Sequence, residues 1–446
     1  MSGRTLLPRG LAALLVLLAL ACGRESGPAN LVMISLDTTR QDHGSVYGYA
    51  RETTPNLERL AAEGVVFAHA YAGAPTTAPS HATLFTGLYP ITHRVVKNGR
   101  VLAPAHATLA ERLHERGWAT AGVVSSYVLD ARFGWSQGFE LWDDDFELAS
   151  ATTMVPGEKG AEVFDRKADA TTTRALRWLE QERDASRPFF LFVHYMDPHF
   201  PWVAPPELLT RFRTQDLPLD GVSGAIARYD AEIAFTDQQL GRLFDALEQL
   251  GLARDTLVAV TADHGEGLMD HGELHHSTQL YEEQMRVPLV LRFPRRLPAG
   301  RVVDTPVSLL DLAPTLLELL GAEPAAGDPM QGRSLISLIE GEVPPEREPI
   351  FLFRPDNTEI PGEQYAVRQG DWKLIRGPGP GMRELFDLAS DPKEREDRSG
   401  AEAARVRELE VQLDAWLAVH GRSDPPPATA VSPEDLERLR ALGYVP

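Results

Sequence analysis

Acidic and histidine side chains follow two apolar segments of the sequence. Asp37 comes directly after the run Asn30–Leu36, and Asp263 and His264 come shortly after Leu257–Thr261. If both runs are buried strands of one parallel sheet, their carboxyl ends lie at the edge where such sheets bind ligands. Carboxylate oxygens together with an imidazole nitrogen suit Zn, Mn or Ca. These three side chains could therefore surround one divalent cation, and the alternative is that Asp37 caps the element that follows it.

The segment 76–87, Thr-Thr-Ala-Pro-Ser-His-Ala-Thr-Leu-Phe-Thr-Gly, carries hydroxyl groups at the predicted start of a helix. Ser80 or Thr77 would cap that helix through its side-chain oxygen. The free amides and the dipole of a helix N-terminus also favour an anion at this place. If the Thr77 hydroxyl touches the cation, it becomes an effective nucleophile.

The elements that must position these residues alternate between strands and helices. Continuous apolar runs rich in branched side chains are typical of strands buried on both faces of a parallel sheet. Such runs occur at Asn30–Leu36, Ala119–Val124, Phe189–Val193, Leu257–Val260 and Val287–Leu291, with helical patterns between them at Leu57–Glu63, Ala107–Arg116, Thr171–Glu182 and Ala225–Leu250. The alternation predicts an α/β fold with a large, mostly parallel sheet flanked by helices.

The character of the sequence changes near Gly341. A late helix predicted over Asp304–Gly321 belongs to the main domain, residues 30–340. Residues 341–446 are predicted to form a C-terminal subdomain with a small antiparallel sheet and an amphipathic helix. Its predicted elements are strands Gln364–Arg368 and Trp372–Arg376, the helix Ala401–Val419 and a last surface helix Glu434–Leu442.

The N-terminus has the pattern of an export signal. Arg4 and Arg9 precede the apolar run Leu11–Leu20, which is too short to span a membrane but suits a signal-peptide core. The sequence that ends at Cys22 resembles a bacterial lipobox, although Ala19 stands where Leu is usual. We expect a signal peptide over residues 1–21, lipidation of Cys22, a tether over 22–29 and a periplasmic or cell-surface location. Plain secretion is the alternative.

Composition excludes other classes of function. The 446 residues include 44 Lys plus Arg against 64 Asp plus Glu, so the net charge is −20. A polyanion of this kind is repelled by nucleic-acid phosphates, and no nucleic-acid partner is expected. The single cysteine allows neither an intrachain disulfide nor a thiolate metal cluster.

The motifs, taken in order, resemble those of the sulfatase family within the alkaline phosphatase superfamily. They are Asp37, the Thr-x-Pro-Ser-x-x-x-Leu-x-Thr-Gly block from Thr77, the segment His194–Trp202 (HYMDPHFPW), Asp263-His264-Gly265, Arg286-Val287-Pro288, Trp372-Lys373-Leu374 and Glu384–Leu388. The resemblance covers nearly the whole chain after the leader. It implies that residues 30–340 are a catalytic domain and that Asp37, Thr77, Asp263 and His264 hold the cation.

The departures from the family pattern bear on the reaction. Sulfatases carry Cys or Ser, oxidised to formylglycine, at the first position of the block and Arg four residues later, where this chain has Thr77 and His81. Threonine cannot become the aldehyde, so we expect no formylglycine. A covalent intermediate on Thr77 must be removed by water that attacks its central atom, as in the phosphoryl-transferring members of the superfamily.

Other positions resemble the phosphonate monoester hydrolase and phosphodiesterase branch. Ser125 and Tyr127 stand where many sulfatases have a lysine and a histidine, and Asn98 lies upstream. Thr38 replaces the second aspartate of the usual Asp-Asp pair, which lowers the charge at the cation. Thr38 or Asn98 is expected near the ion.

Two histidines are assigned to the substrate by the resemblance. His199 follows a strand in Asp197-Pro198-His199, and His276 lies 12 residues before Pro288, with His275 as a competitor by spacing. Similar proteins use histidines here to bind the transferred group or to protonate the leaving oxygen. A second ion could be held by Asp197, His199, Asp270 and His276. Three further histidines, His93, His194 and His271, are expected to be mostly structural, and Lys373 is interpreted as a surface charge.

The sequence therefore favours an exported hydrolase of small anionic esters of the phosphoester, phosphodiester or phosphonate type. Thr77 attacks phosphorus, His81 and Asn98 help to hold the non-bridging oxygens, and His199 or His276 protonates the leaving alkoxide. The alternatives are a sulfuric ester hydrolase, a transferase of a phospho-group to a lipid or glycan, and a non-catalytic anion-binding lipoprotein. Trp202, Trp135 and Phe200 could wall the substrate pocket, although core packing is the better interpretation of each.

Overall fold

The computed structural model describes residues 29–146, 165–213, 221–324, 327–342, 349–356, 361–379, 381–421, 432 and 435. The predicted leader, Cys22 and nearly all of the last predicted helix, Glu434–Leu442, lie outside these ranges. No helix in the described ranges combines the length and the apolar character needed to cross a membrane.

The described strands are β1 (Asn30–Leu36), β2 (Val65–Phe67), β3 (Ala70–Tyr71), β4 (Ala119–Val123), β5 (Leu141–Asp143), β6 (Phe189–Tyr195), β7 (Thr256–Ala262), β8 (Arg286–Val287), β9 (Leu289–Arg292), β10 (Arg301–Val303), β11 (Val307–Ser308), β12 (Ile350–Arg354), β13 (Gln364–Gln369), β14 (Trp372–Arg376) and β15 (Arg383–Asp387). The described α-helices are α1 (Pro55–Ala62), α2 (Thr77–Thr86), α3 (Pro90–His93), α4 (Leu109–His114), α5 (Ala168–Arg177), α6 (Pro206–Phe212), α7 (Gly221–Gln249), α8 (Glu282–Met285), α9 (Leu312–Leu320), α10 (Ile336–Glu340) and α11 (Ala403–His420).

The large sheet has the strand order β10-β2-β9-β7-β1-β6-β4-β5. All its neighbouring pairs are parallel except those of β9, which runs antiparallel to β2 and β7. The central strands β1, β6 and β7 are buried along their whole length, which explains why their sequences are continuously apolar. The predicted α/β fold with a large, mostly parallel sheet is confirmed.

The register of the central strands aligns their carboxyl ends. Leu36 at the end of β1 pairs with Tyr195 of β6 on one side and with Ala262 of β7 on the other. The residues that follow these strands, beginning with Asp37, Met196 and Asp263, therefore emerge side by side.

The C-terminal part has the order β12-β13-β14-β15, all antiparallel, and α11 packs on it. Helix α11 buries Val406, Leu409, Leu413 and Trp416, which recur at the three- and four-residue spacing of one helix face. The Trp416 ring stacks on Phe351 of β12 with the ring centroids 4.8 Å apart. The small C-terminal sheet with its helix is thus confirmed.

The predicted late helix Asp304–Gly321 is wrong over its first half. Val307 and Ser308 instead form β11 beside β3, and a single 3-10 turn, Leu309–Asp311, leads into α9. The reason is local: Ser308 and Asp311 form a capping box, which starts the helical conformation only after Ser308. The predicted strand Val287–Leu291 is similarly divided at Pro288, which has no N–H to donate to a ladder.

Candidate active site

Three side chains that could hold a cation lie together at the carboxyl ends of β1 and β7. Asp37 directly follows β1, and Asp263 and His264 follow β7. One ligand atom of each lies within 4.8 Å of the other two, and all three side chains are fully buried. Among the described residues, no other group of three histidine, cysteine, aspartate or glutamate side chains has ligand atoms this close together. The structure thus brings together the three ligands expected from the sequence.

The surroundings of the two carboxylates fit a divalent cation. Both oxygens of Asp37 and Oδ2 of Asp263 are buried without a hydrogen-bond partner in the described part of the chain. Burial raises the pKa of both carboxyl groups, and the charge of Asp37 raises that of Asp263 further. Two buried carboxylates that repel one another stay ionised together only when positive charge lies beside them. Oxygen donors with one imidazole suit Ca, Mn or Zn.

The tautomer of His264 leaves one nitrogen for a ligand. Its Nδ1 lies 2.9 Å from the carbonyl oxygen of Gly265, and because a carbonyl only accepts, Nδ1 carries the proton. The lone pair is therefore on Nε2, which lies 3.4 Å from Thr77 Oγ1. Gly265 is required here, since a Cβ atom would lie 2.0 Å from the carbonyl oxygen of Glu283.

Thr77 is the first residue of α2, so its hydroxyl sits at the positive end of that helix. The prediction that the side chain of Ser80 or Thr77 caps this helix is wrong. The N-cap residue is Thr76, which makes no side-chain capping bond, and its Oγ1 donates to Ser277 Oγ at 3.0 Å. Ser80 Oγ instead donates to the carbonyl oxygen of Asp263 at 2.6 Å. That bond ties the helix carrying Thr77 to the loop carrying two cation ligands.

Asn98 and His81 both contact the backbone near Thr77. Asn98 Oδ1 accepts the N–H of Ala78 at 2.9 Å, which places the side-chain amide beside the helix N-terminus. His81 is fully buried, and its Nδ1 donates to the carbonyl oxygen of Thr77 at 2.8 Å. Burial lowers the pKa of His81 to about 4, so its ring is neutral. The structure therefore places His81 against the backbone of the nucleophile, with its one N–H already used.

His194, which the sequence favours as a structural residue, reaches the cation site. Its Nε2 lies 3.3 Å from Asp37 Oδ2, and both side chains are fully buried. The ring also packs edge-on against His81, with the centroids 5.1 Å apart. The available signal was its place at the end of the segment that becomes β6, next to β1. His194 stands one residue before the end of a buried strand, and this position alone does not indicate that its side chain faces the active site.

The two histidines expected on the substrate side are neighbours. The rings of His199 and His276 lie 5.1 Å apart, and the ring of His276 lies 4.6 Å from that of His264. Burial lowers the pKa of His199 to about 3 and that of His276 well below its usual value. His275, the competitor by spacing, is solvent-exposed.

Glu266 is a site residue that sequence reasoning missed, although it belongs to the run Asp263-His264-Gly265-Glu266. It is fully buried, its Oε1 lies 3.2 Å from His276 Nδ1, and its Oε2 has no hydrogen-bond partner among the described residues. Burial raises the pKa of Glu266 to about 7. A carboxyl group that changes charge near neutrality thus lies against a histidine beside the cation ligands.

The carboxylates considered for a second ion are occupied by cationic side chains. Asp197 Oδ1 lies 2.7 Å from Lys167 Nζ, which also lies 3.2 Å from Glu232 Oε1. Asp270 Oδ2 lies 2.7 Å from Arg40 Nη2. The pair with Lys167 anchors the loop that leads to His199, and the pair with Arg40 joins the loop after β1 to the loop after β7.

Several remaining side chains have structural partners. Ser125 Oγ donates to the carbonyl oxygen of His194 at 2.6 Å, and Tyr127 is buried with its hydroxyl 2.7 Å from Asp435 Oδ1. Trp135 is fully buried in the core, and Trp202 packs with Tyr229 and Leu268. Phe200 is 37% exposed at the rim of the site. Lys373 is not a surface charge, because it is fully buried between Glu282 and Glu394.

Comparisons with known proteins place these features in a family. The sequence profile of the Sulfatase family matches residues 29–322, and that of the N-sulphoglucosamine sulphohydrolase C-terminal region matches residues 270–419. Steryl-sulfatase of Mus musculus is 27% identical over 93% of this chain and 85% of its own length. The multifunctional alkaline phosphatase superfamily protein PehA of Trinickia caryophylli is 29% identical over 82% of this chain and 90% of its own length.

Among solved structures, the phosphonate monoester hydrolase of Agrobacterium radiobacter superposes with a TM-score of 0.73 at 25% identity. The match covers 88% of this chain and 96% of that one. The fold and the site thus define an α/β ester hydrolase of the alkaline phosphatase superfamily. Within that class, the chain belongs to the sulfatase family.

Proposed function

We propose that the chain is a metal-dependent hydrolase of anionic esters that acts on phosphorus centres through Thr77. The observation that carries the proposal is the position of Thr77 Oγ1, at the N-terminus of α2 and 3.4 Å from the lone-pair nitrogen of His264. Asp37, Asp263, His264 and Thr77 would hold the cation. When bound, a divalent cation lowers the pKa of a coordinated hydroxyl and neutralises the anionic substrate.

The Thr77 hydroxyl loses its proton to solvent, its Oγ attacks the phosphorus atom, and the bond from phosphorus to the leaving oxygen breaks. The Asn98 Nδ2 group acts as a donor to the non-bridging oxygens, and the dipole of α2 adds to their stabilisation. Asn98 is oriented for this task, because its Oδ1 is held by the N–H of Ala78 at 2.9 Å and its N–H bonds face another direction. Water then attacks the phosphorus atom of the phospho-threonine and releases Thr77.

Glu266 and His276 supply the proton of the leaving group. When Glu266 is protonated, it donates to His276 Nδ1, 3.2 Å away, and the neutral imidazole carries its own proton on Nε2. His276 Nε2 gives that proton to the leaving alkoxide while Nδ1 takes the proton of Glu266. His199, whose ring lies 5.1 Å from that of His276, helps to bind the transferred group.

Hydrolysis of sulfate esters is the second candidate function. The observation in its favour is that the Sulfatase profile matches and that relatives such as steryl-sulfatase carry sulfatase names. Against it stands Thr77, which cannot be converted to formylglycine. Without that aldehyde, a sulfated residue cannot be released by elimination, and water must attack the central atom instead.

The test is a rate comparison on 4-nitrophenyl phosphate, bis(4-nitrophenyl) phosphate, 4-nitrophenyl phenylphosphonate and 4-nitrophenyl sulfate, using metal-loaded protein. We expect turnover of at least one phosphorus ester to exceed that of the sulfate. We also expect Thr77→Ala to lose about 1,000-fold or more of this activity. Thr86→Ala is the matched control, since Thr86 lies in the same helix and its hydroxyl bonds only to backbone groups, donating to Ala82 O and accepting from the N–H of Leu88.

Near-normal turnover by Thr77→Ala would show that Thr77 is not the nucleophile. Faster turnover of the sulfate than of every phosphorus ester would overturn the phosphorus preference and leave the hydrolase assignment in place. Product that forms only when an acceptor alcohol is added would indicate a transferase.

We also propose that the enzyme is exported and anchored to a membrane through lipid on Cys22. The basis is the sequence alone: Arg4 and Arg9, the apolar run Leu11–Leu20 and the small residue Ala21 before the cysteine. Cys22→Ser should move the protein from the membrane fraction to the soluble fraction of its host. Equal membrane association of both forms would contradict the anchor.

A further inference from the structure

A group of basic side chains lies away from the active site, at the junction between the short sheet β11-β3-β8 and the C-terminal sheet. Arg286 begins β8, His69 directly precedes β3, and Arg368 lies in β13. Arg368 is only 5% exposed, and its guanidinium group lies over the Tyr71 ring, 5.0 Å from the centroid. None of the three basic residues has a part in the proposed reaction.

Four buried N–H positions of these residues have no hydrogen-bond partner in the described ranges. They are Nε and Nη1 of Arg368, Nε of Arg286 and Nδ1 of His69. Arg286 uses another nitrogen, Nη2, to donate to the carbonyl oxygen of Ala68 at 2.8 Å. Buried polar groups are almost always hydrogen-bonded. A buried guanidinium N–H without a partner costs more free energy than most other unpaired polar groups, because it is charged.

Tyr71 and the chain next to His69 bring these groups together: Arg286 pairs with Tyr71 across β8 and β3, Arg368 lies over the Tyr71 ring, and Arg286 Nη2 contacts the carbonyl oxygen of Ala68. Burial, and then the charges of Arg286 and Arg368, lower the pKa of His69 to about 4. The same two guanidinium groups act on Tyr71 and on Glu282. His69 is therefore neutral near pH 7 and can offer Nδ1–H as a donor without adding charge.

Two of the nearby carboxylates already have partners. Lys373 Nζ lies 3.1 Å from Glu282 Oε1 and 2.9 Å from Glu394 Oε1. The Tyr71 hydroxyl donates to the other oxygen of Glu282 at 2.7 Å. Asp304 is a third carboxylate whose charge acts on His69. The four orphaned nitrogen positions nevertheless make no hydrogen bond to any of these carboxylates.

We propose that His69, Arg286 and Arg368 form a binding site for a small inorganic anion. The four orphaned donors supply its hydrogen bonds, and the two guanidinium groups supply the positive charge that attracts it. His69 and Arg286 are partly exposed and Arg368 is buried, so an anion enters past the first two and is held against the third. The bound anion joins β8 of the catalytic domain to β13 of the C-terminal sheet and stabilises their junction.

The test is thermal unfolding of the full chain in sodium chloride, phosphate or sulfate, each compared with sodium gluconate at equal ionic strength. Gluconate is a bulky monoanion and controls for general salt effects. We expect a saturable rise of Tm with at least one small anion. Arg368→Met, which keeps the length of the side chain and removes the charge, should weaken that response about tenfold or more. Arg376→Met is the matched control on the neighbouring strand, where Arg376 pairs with Asp414.

Phosphate and sulfate also bind the active site if the proposed function is correct, so the decisive quantity is the difference between wild type and Arg368→Met. Equal responses of the two proteins, or no response beyond that in gluconate, would overturn the proposal. If Arg368→Met does not fold, anomalous diffraction from wild-type crystals soaked in sodium bromide decides. A bromide peak between Arg286 and Arg368 supports the site, and ordered water alone at that place overturns it.

Discussion

His194 Nε2 lies 3.3 Å from Asp37 Oδ2, and both groups are fully buried. The backbone N–H of Ser125 points to His194 Nδ1 at 3.5 Å, so the proton of the neutral ring lies on Nε2, the nitrogen nearest the carboxylate. Burial lowers the pKa of His194 to about 4, which keeps the ring neutral. His194 of β6 therefore packs its Nε2–H edge against the candidate cation ligand that follows β1, although the two side chains make no hydrogen bond in this structure.

His194→Phe should lower the affinity for a divalent cation by about 10- to 100-fold, because Asp37 loses the polar ring edge that lies against its carboxylate and is then less well oriented. Titration calorimetry of the metal-free protein with Zn, Mn or Ca measures the change. His114→Phe is the control, since His114 is about half exposed and pairs with Glu140. Unchanged affinity in a folded His194→Phe protein would show that His194 only fills space.

Removal of the cation should destabilise the wild type more than it destabilises Asp37→Asn. The metal-free wild type keeps two buried carboxylates that repel one another, whereas Asp37→Asn keeps one. With a chelator present we expect Asp37→Asn to have the higher Tm, and with the cation present the lower. Differential scanning calorimetry under both conditions checks the crossing. If wild type and Asp37→Asn keep the same order of Tm with chelator and with cation, Asp37 and Asp263 do not share a cation.

His276→Gln should affect poor leaving groups more than good ones. A proton donor matters most when the departing oxygen is strongly basic, so we expect a loss of about 100-fold for an alkyl ester and only a few-fold for a 4-nitrophenyl ester. The measurement is kcat/KM against the pKa of the leaving group, whose slope should steepen. His275→Gln, at the exposed neighbouring position, should leave the slope unchanged. If the plots for His276→Gln and wild type have the same slope, His276 does not donate the proton to the leaving group.

His271 should stabilise the fold at mildly acidic pH. Its Nδ1 lies 2.7 Å from Glu283 Oε1, and this hydrogen bond and charge outweigh burial and raise the pKa of His271 above 6.5. Because the folded protein holds the proton more tightly than the unfolded chain does, the stabilisation is complete below pH 6.5. It is lost as the pH rises through the higher, folded value.

The free energy of unfolding of wild type should therefore exceed that of His271→Gln by about 1 kcal/mol at pH 5.5. The difference should shrink as the pH rises above 7. Urea unfolding across this range measures it, with His114→Gln as an exposed control. A difference that stays constant with pH would mean that charge on His271 has no part in the stability.

Features carried by local pattern could be predicted from the sequence. The apolar runs of β1 and β7 were recognisable, and parallel strands end at one edge, so Asp37 and Asp263 were expected together. Ser80 was expected as a helix cap because that bond is local. Its hydroxyl instead finds the carbonyl oxygen of Asp263, a contact between residues 183 positions apart that no local pattern encodes.

The same limit explains Lys373. Of its carboxylate partners, Glu282 begins α8 and lies 91 positions away, and Glu394 lies in the segment after β15, so tertiary packing brings both to it. A lysine that ends a short strand motif is usually exposed, and the sequence offered no sign of the pairing. The positions of most strands could be predicted from the sequence, but the pairing of charges between distant residues could not.

Thr38 has a backbone φ of 50°, a left-handed conformation that a β-branched residue adopts rarely and that aspartate tolerates better. The turn is held by the N–H of Thr38, which donates to Asp263 Oδ1, and by its carbonyl oxygen, which accepts from the Tyr229 hydroxyl. A carboxylate could therefore be introduced at position 38 with relief of backbone strain. A single residue position therefore separates this donor set from one with an additional negative charge, and the exchange requires no rearrangement of the main chain.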